Sequence, residues 1–191
     1  MNSPTEKDVL RLRDADRSAI ERLLASFGLE IVDVPAGRPV PGSFWGDEEA
    51  GLIGDRLHAR PDTPVHSVLH EACHYVCMSP QRRARLHTDA GGTRLEEEAV
   101  CVLEVLLADR VPGFGRARCL ADMDAWGYNF ALGSARAWFE GDSAPARRWL
   151  SERGLGEPGR LNLRADEHTR EAGSRDRSRT ASADAGTSPT C

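Results

Sequence analysis

The sequence predicts an α+β fold: a small antiparallel sheet packed on two long helices, followed by a helical C-terminal part. Three observations predict it. Short or alternating apolar segments are confined to residues 29–59, the apolar period becomes helical from Thr63 onward, and large apolar residues almost vanish beyond Gly156. The chain has 191 residues, 40% of them hydrophobic. That suits one packed domain over 1–155 and a tail over 156–191.

Taken in order, Lys7 to Phe27 carries Val9, Leu10, Leu12, Ile20, Leu23, Leu24 and Phe27 at helical spacing, and Gly28 follows as a natural helix stop. Leu29 to Val34 alternates as a strand does, and the Pro/Gly-rich stretch from Pro35 to Gly42 forces a loop. Phe44-Trp45, Gly51 to Ile53 and Leu57 to Ala59 are short apolar segments separated by Gly-Asp turn signals, which predicts the antiparallel sheet. Thr63 then offers a cap and Pro64 a first helical residue for a helix ending near Met78, before Ser79-Pro80. A polar connection over 81–94 leads to a second helix, Leu95 to about Asp109, which Pro112-Gly113 terminates. Short helices fill the rest to Leu155, with Trp126, Trp138 and Trp149 expected in the core. Beyond Gly156 only Leu161 and Leu163 are large and apolar, too little buried surface to offset the ordering entropy, so a disordered tail is expected.

Composition excludes several classes. With 25 basic and 30 acidic residues the formal charge is −5, which disfavours an electrostatic nucleic-acid binder. No apolar run is long enough to span a bilayer, and residues 1–10 lack the pattern of a signal peptide, so a soluble, cytoplasmic protein is expected with no membrane partner. Five cysteines, an odd number with three inside predicted helices, argue for reduced thiols rather than a disulfide framework.

Chemistry concentrates in His70-Glu71-Ala72-Cys73-His74, an H-E-x-x-H pattern on the first long helix. Histidines four apart stand one turn apart on one face, so both imidazoles can reach one Zn²⁺ while the glutamate addresses the water beside it. At about 100° per residue from Val65, the stripe Val65, Val68, Leu69, Ala72 and Val76 lies within roughly 60° of zero, and His70 and His74 fall near 140° and 180°. The opposite face bears Ser67, His70, Glu71, His74 and Cys77 with no basic residue, a composition that suits the floor of a cleft.

A catalytic zinc needs a third protein ligand and an open position. On the second helix, with Leu95 at zero, the apolar arc runs from about −20° to 140°. Glu96 falls near 100°, inside the arc, where an unpaired charge is costly and a cation would resolve the cost. Glu97, Glu98 and Glu104 fall outside it and read as a solvated face. An ion pair between Glu96 and an arginine is the competing reading, and His87 or Glu97 remain alternative third ligands. A metzincin ending is excluded by Cys77 and Pro80, and a closed site of His70, Cys73, His74 and Cys77 is disfavoured because one rigid helix cannot wrap a tetrahedron.

These residues resemble the gluzincin class of zinc metallopeptidases, most closely the ImmA/IrrE-like family, whose H-E-x-x-H helix is followed by Glu-x-[Glu/Gln]-Ala-Asn-x-Phe-Ala-Ala-x-Leu-Leu. Here the stretch from Glu96 to Leu107 is similar, and the resemblance spans about residues 50–110. By position it implies that Glu96 is the third ligand. Val100 stands where the family carries Asn or Asp, Val102 replaces the Phe, and Cys73 replaces a glycine. The expectation is a zinc-dependent peptidase acting on a peptide or protein substrate, with one zinc on His70, His74 and Glu96, and Glu71 as general base. Tyr128 or His87 would steady the oxyanion, and an edge strand within 51–59 would accept an extended peptide. The alternative is a non-catalytic zinc-binding regulatory or interaction protein that keeps the fold.

Overall fold

The computed structural model describes residues 9–44, 46 and 48–156. Most of the expected tail, 157–191, and Trp45 of the expected Phe44-Trp45 segment lie outside the described residues. The fold is α+β. A turn of 3-10 helix, Leu12–Asp14, precedes α1 (Arg17–Ser26); strands β1 (Glu30–Asp33), β2 (Gly51–Ile53) and β3 (Arg56–Ala59) follow. Then come α2 (Val65–Cys77), α3 (Pro80–Arg83), α4 (Arg94–Ala108), α5 (Gly115–Trp126), α6 (Ala135–Gly141) and α7 (Ala144–Glu152).

Lys7 and Asp8 of the expected first helix lie outside the described residues; among those described, the α-helix starts at Arg17, capped by the Asp16 carboxylate on Ala19 N–H. Residues 10–13 are drawn off to the start of α2, where Val65 N–H donates to Leu10 C=O and Leu12 N–H to Thr63 C=O. Backbone thus satisfies an orphan amide of α2. Thr63 is not the cap; its hydroxyl accepts from Arg60 N–H, and Pro64 holds the N-cap position.

The sheet is mixed rather than antiparallel, in the order β1-β3-β2, because β1 joins β3 in parallel while β2 and β3 form the hairpin. Leu57 and Ala59 of central β3 are buried, as is Leu52 of β2. The outer edge of β2 is already occupied: Leu52 N–H donates to Gly42 C=O, Thr88 N–H to Leu52 C=O, and Gly54 N–H to Leu86 C=O. A substrate strand therefore cannot add at Leu52, contrary to the sequence expectation. Gly51 permits the close approach of the 40–43 loop, since a Cβ there would lie 2.1 Å from Pro41 O.

One core joins α1, the sheet, α2, α4, α5 and α7. From Ala99 to Ala108 only Leu106 escapes full burial, because α4 is packed by α2, α5 and α7 together. Trp138 lies in the core and Trp149 packs partly buried against it, whereas Trp126 is half-buried beside a cleft. Cys73, Cys77, Cys101 and Cys119 are buried free thiols. No helix among the described residues is long and apolar enough to cross a membrane.

His66, on α2 one turn before His70, is fully buried edge-on to Trp126 and Tyr128, with no hydrogen-bond partner on either ring nitrogen among the described residues. Burial drives its pKa down to about 3, helped by the charges of His70 and Arg11. The unfolded chain therefore takes up a proton below pH 6.5 that the folded chain refuses, so this group's contribution falls as pH drops from 6.5 toward 3. The slope it adds is at most about 1.4 kcal/mol per pH unit. Replacing His66 by Phe keeps the ring and should flatten the acid limb of stability, read as urea midpoints between pH 7 and pH 4; an unchanged slope would refute this.

Candidate metal centre

His70 and His74 of α2 point away from its buried stripe into a cleft, as the wheel requires. Their rings stand nearly perpendicular, at 84°, with centroids 4.8 Å apart and the two Nε2 atoms separated by 3.2 Å. Opposite them α4 supplies Glu97, whose Oε1 lies 3.1 Å from His70 Nε2 and whose Oε2 lies 3.3 Å from His74 Nε2. These residues form a group placed to hold a metal ion. Four-coordinate bonds of about 2.0–2.1 Å to imidazole and carboxylate imply donor separations of about 3.3 Å along the edges of a tetrahedron. The 3.2 Å between the two Nε2 atoms matches that requirement, and each oxygen of the Glu97 carboxylate stands at a similar distance from one of them.

Electrostatics agree with the spacing. Burial takes the pKa of His74 down to about 4, so the imidazole is neutral and its lone pair available. Burial acts in the same direction on His70 but is overcome by Tyr128, Cys101, Glu104 and Glu97, and the net shift is upward. In the absence of a metal, a proton on His70 therefore meets the local demand for positive charge. The Nδ1 of His70 lies 3.1 Å from Glu104 Oε2, and Nδ1–H donation to that carboxylate leaves the Nε2 lone pair facing Glu97 and His74. Glu104 is wholly buried, takes a further contact from Cys119 Sγ at 3.6 Å, and has its pKa raised by burial. His70, Cys101 and Glu104 form a second group of donor atoms, on the far side of the same imidazole.

The expected ligand Glu96 is elsewhere. Its Oε1 lies 2.5 Å from Arg82 Nη1, while Arg82 Nη2 donates to the carbonyls of Ala90 and Gly91 at 2.8 and 3.1 Å. Glu96 and Arg82 thereby fasten the loop before α4, and a Cβ at Gly92, whose φ is +132°, would lie 3.1 Å from Glu96 Cδ. The ion-pair reading of Glu96 is what the geometry bears out, and Glu97, which the wheel put on a solvated face, takes the place beside the histidines. Glu97 is indeed half-exposed there, whereas Glu104, read as part of the same solvated face, is wholly buried. Residues 97 and 104 differ by seven positions, about 700° or nearly two full turns, so they share a stripe, and that stripe meets α2. One signal pointed to it: Glu104 is the only charged residue between Ala99 and Ala108.

His87 is exposed, bridges Ile53 of β2 and contacts Thr88 Oγ1 at 3.0 Å, so it does not join the histidine pair. Glu71 and Tyr128 both line the cleft, a cavity of about 770 Å³ floored by His70, Glu71, His74 and Glu97. Burial raises the pKa of Glu71 to about 7, with the charges of Glu49, Glu97 and Glu104 adding to the effect and that of His70 opposing it. The Tyr128 ring stands edge-on to His70, 5.9 Å between centroids, and burial pushes its hydroxyl pKa well above 10, so it remains a hydrogen-bond donor. Residues 88–94 form one wall, Trp126 to Tyr128 another, and Phe44, Glu49 and Ser67 add to the lining.

No protein-family model matches the chain, and neither a curated protein nor a solved structure does.

Proposed function

We propose that the protein is a gluzincin-type zinc peptidase in which His70, His74 and Glu97 hold the metal and Glu71 is the general base. The observation that carries this reading is the convergence of two imidazole Nε2 atoms 3.2 Å apart and the Glu97 carboxylate, one of its oxygens 3.1 Å from His70 and the other 3.3 Å from His74, on a cleft that Glu71 also lines. Two imidazole nitrogens and one carboxylate form a donor set suited to zinc with one coordination position left for solvent. Bound there, zinc supplies a Lewis acid that acidifies water and polarises the scissile carbonyl. Glu71 takes a proton from the attacking water as its oxygen bonds to the carbonyl carbon, and passes that proton to the amine when the C–N bond breaks. Tyr128 offers its hydroxyl to the developing oxyanion, and Glu104 keeps His70 in the Nδ1–H tautomer.

Purified without chelators, the wild-type chain should contain one zinc per molecule and cleave unstructured peptides or casein. Glu71→Gln should retain the zinc and lose about 10²- to 10⁴-fold in kcat. Equal turnover by both proteins would end the peptidase reading; zinc retained with no turnover in either would favour the non-catalytic regulatory alternative.

The adjacent glutamates separate by role. Replacing Glu97 by Ala should abolish stoichiometric zinc, whereas Glu96→Ala should keep zinc and speed proteolytic nicking within 88–93. Loss of zinc from the Glu96 variant alone would restore the ligand assignment drawn from the sequence.

Glu104→Ala should weaken zinc binding about 10- to 100-fold, measured by competition with a chromogenic chelator. Glu104→Gln should recover part of that loss, because its amide oxygen still accepts from Nδ1–H. An unchanged affinity in both variants would remove Glu104 from the centre.

A further inference from the structure

The cleft carries side chains that neither the metal centre nor the proton transfers employ, and their chemistry is uneven. Its acids beyond the centre are Glu49 and Asp89, and its single basic residue is Arg94, whose side chain is 87% exposed and paired with Glu98. Glu49 is tied to an aromatic surface: Trp126 Nε1–H donates to Glu49 Oε1 at 3.1 Å, and the other carboxylate oxygen has no partner among the described residues. Tyr128 lines the cleft two residues further on, and Phe44, 60% exposed, contributes another ring. The Trp126 ring already accepts a cation, since the Arg11 guanidinium lies 5.2 Å from its centroid. Glu71 shares the same region, where it feels the charge of Glu49.

A carboxylate held by an indole N–H, with a second ring alongside, suits an ammonium or guanidinium group, which gains attraction from the ring face and the carboxylate together. An acidic side chain in the same place would meet the carboxylates of Glu49 and Asp89. We infer that the corner formed by Glu49, Trp126 and Tyr128 is a substrate subsite for a lysine or arginine side chain, so that the cleft selects cationic peptides. This rests on the peptidase reading for its consequence in turnover, but its binding chemistry can be measured separately.

The test uses zinc-loaded, full-length Glu71→Gln protein and three fluorescein-labelled hexapeptides identical except for a central Lys, Leu or Glu, read by fluorescence anisotropy. The Lys peptide should bind at least tenfold more tightly than the Glu peptide. Adding Glu49→Gln, which preserves an acceptor for Trp126, should shrink that ratio below threefold, while Glu30→Gln, the same charge change on an exposed residue of β1, should leave it intact. Equal affinities, a ratio that survives Glu49→Gln, a ratio lost equally in the Glu30 variant, or no binding of any peptide would each overturn the subsite. Wild-type cleavage of all three peptides at one rate would sink the cationic preference and leave the hydrolase; lysine-selective binding without cleavage would do the reverse.

Discussion

The contact on which everything else depends is the face-to-face packing of α2 and α4. His74 meets Glu97, near the start of α4, while His70 meets both Glu97 and Glu104, one further stretch along, so the polar contacts run in opposite senses along the two helices. A shift of one residue in either helix would rotate its polar stripe by about 100° and separate imidazoles from carboxylates. The apolar residues that prevent such a shift are the fully buried Leu69, Ala72, Val100, Leu103 and Leu107. Core packing and site geometry are therefore one constraint.

Burying ionisable groups at that contact is expensive, and the fold carries the cost in a particular way. Removing one charge of a buried pair typically costs about 3–5 kcal/mol because the other is stranded. Glu104 escapes stranding through His70 Nδ1 and Cys119, while Glu97 meets the two imidazoles and stays half-exposed to solvent. The exceptions are His74 Nδ1 and both nitrogens of His66, which remain without partners among the described residues. His74 is thus oriented by its Nε2 side alone, whereas His70 is gripped from both sides. The two imidazoles are not equivalent, and the rigidity of the centre comes mainly from His70.

Much of this was legible in the sequence, and the parts that were not share a cause. The H-E-x-x-H spacing, the Pro64 start of α2, its end before Ser79-Pro80 and the long second helix are local features, encoded within one or two turns of chain. The direction of β1 is not local: it depends on which partner a short strand meets after a long loop, and β3 rather than β2 became its neighbour. The glutamates of α4 failed for another reason. A helical wheel assumes one wet side, but α4 is covered by α2, α5 and α7, so beyond its first turn burial stopped distinguishing its faces. Leu95, inside the expected apolar arc, is 38% exposed, while Glu104 on the supposed wet side is wholly buried. The apolar count was right and its angular meaning was not.

The run Glu96-Glu97-Glu98 shows how finely a helix divides labour among identical side chains. Successive residues turn by about 100°, so three carboxylates one after another address three surroundings. Glu98 faces outward to Arg94 as an i,i+4 pair, worth no more than about 0.5 kcal/mol at the surface. Glu97 faces α2 and its histidines. Glu96 faces Arg82, and because the same guanidinium also takes the carbonyls of Ala90 and Gly91, it sets the wall of the cleft that Glu97 helps to floor. Glu96 is thus a structural brace for the cleft although it adjoins Glu97 in sequence, and proximity along the chain is a poor guide to which of the three meets the histidines. Thr93 settles the matter at the helix start, because its hydroxyl caps Glu96 N–H and fixes the rotational phase of the first turn, and with it the direction of every acid that follows.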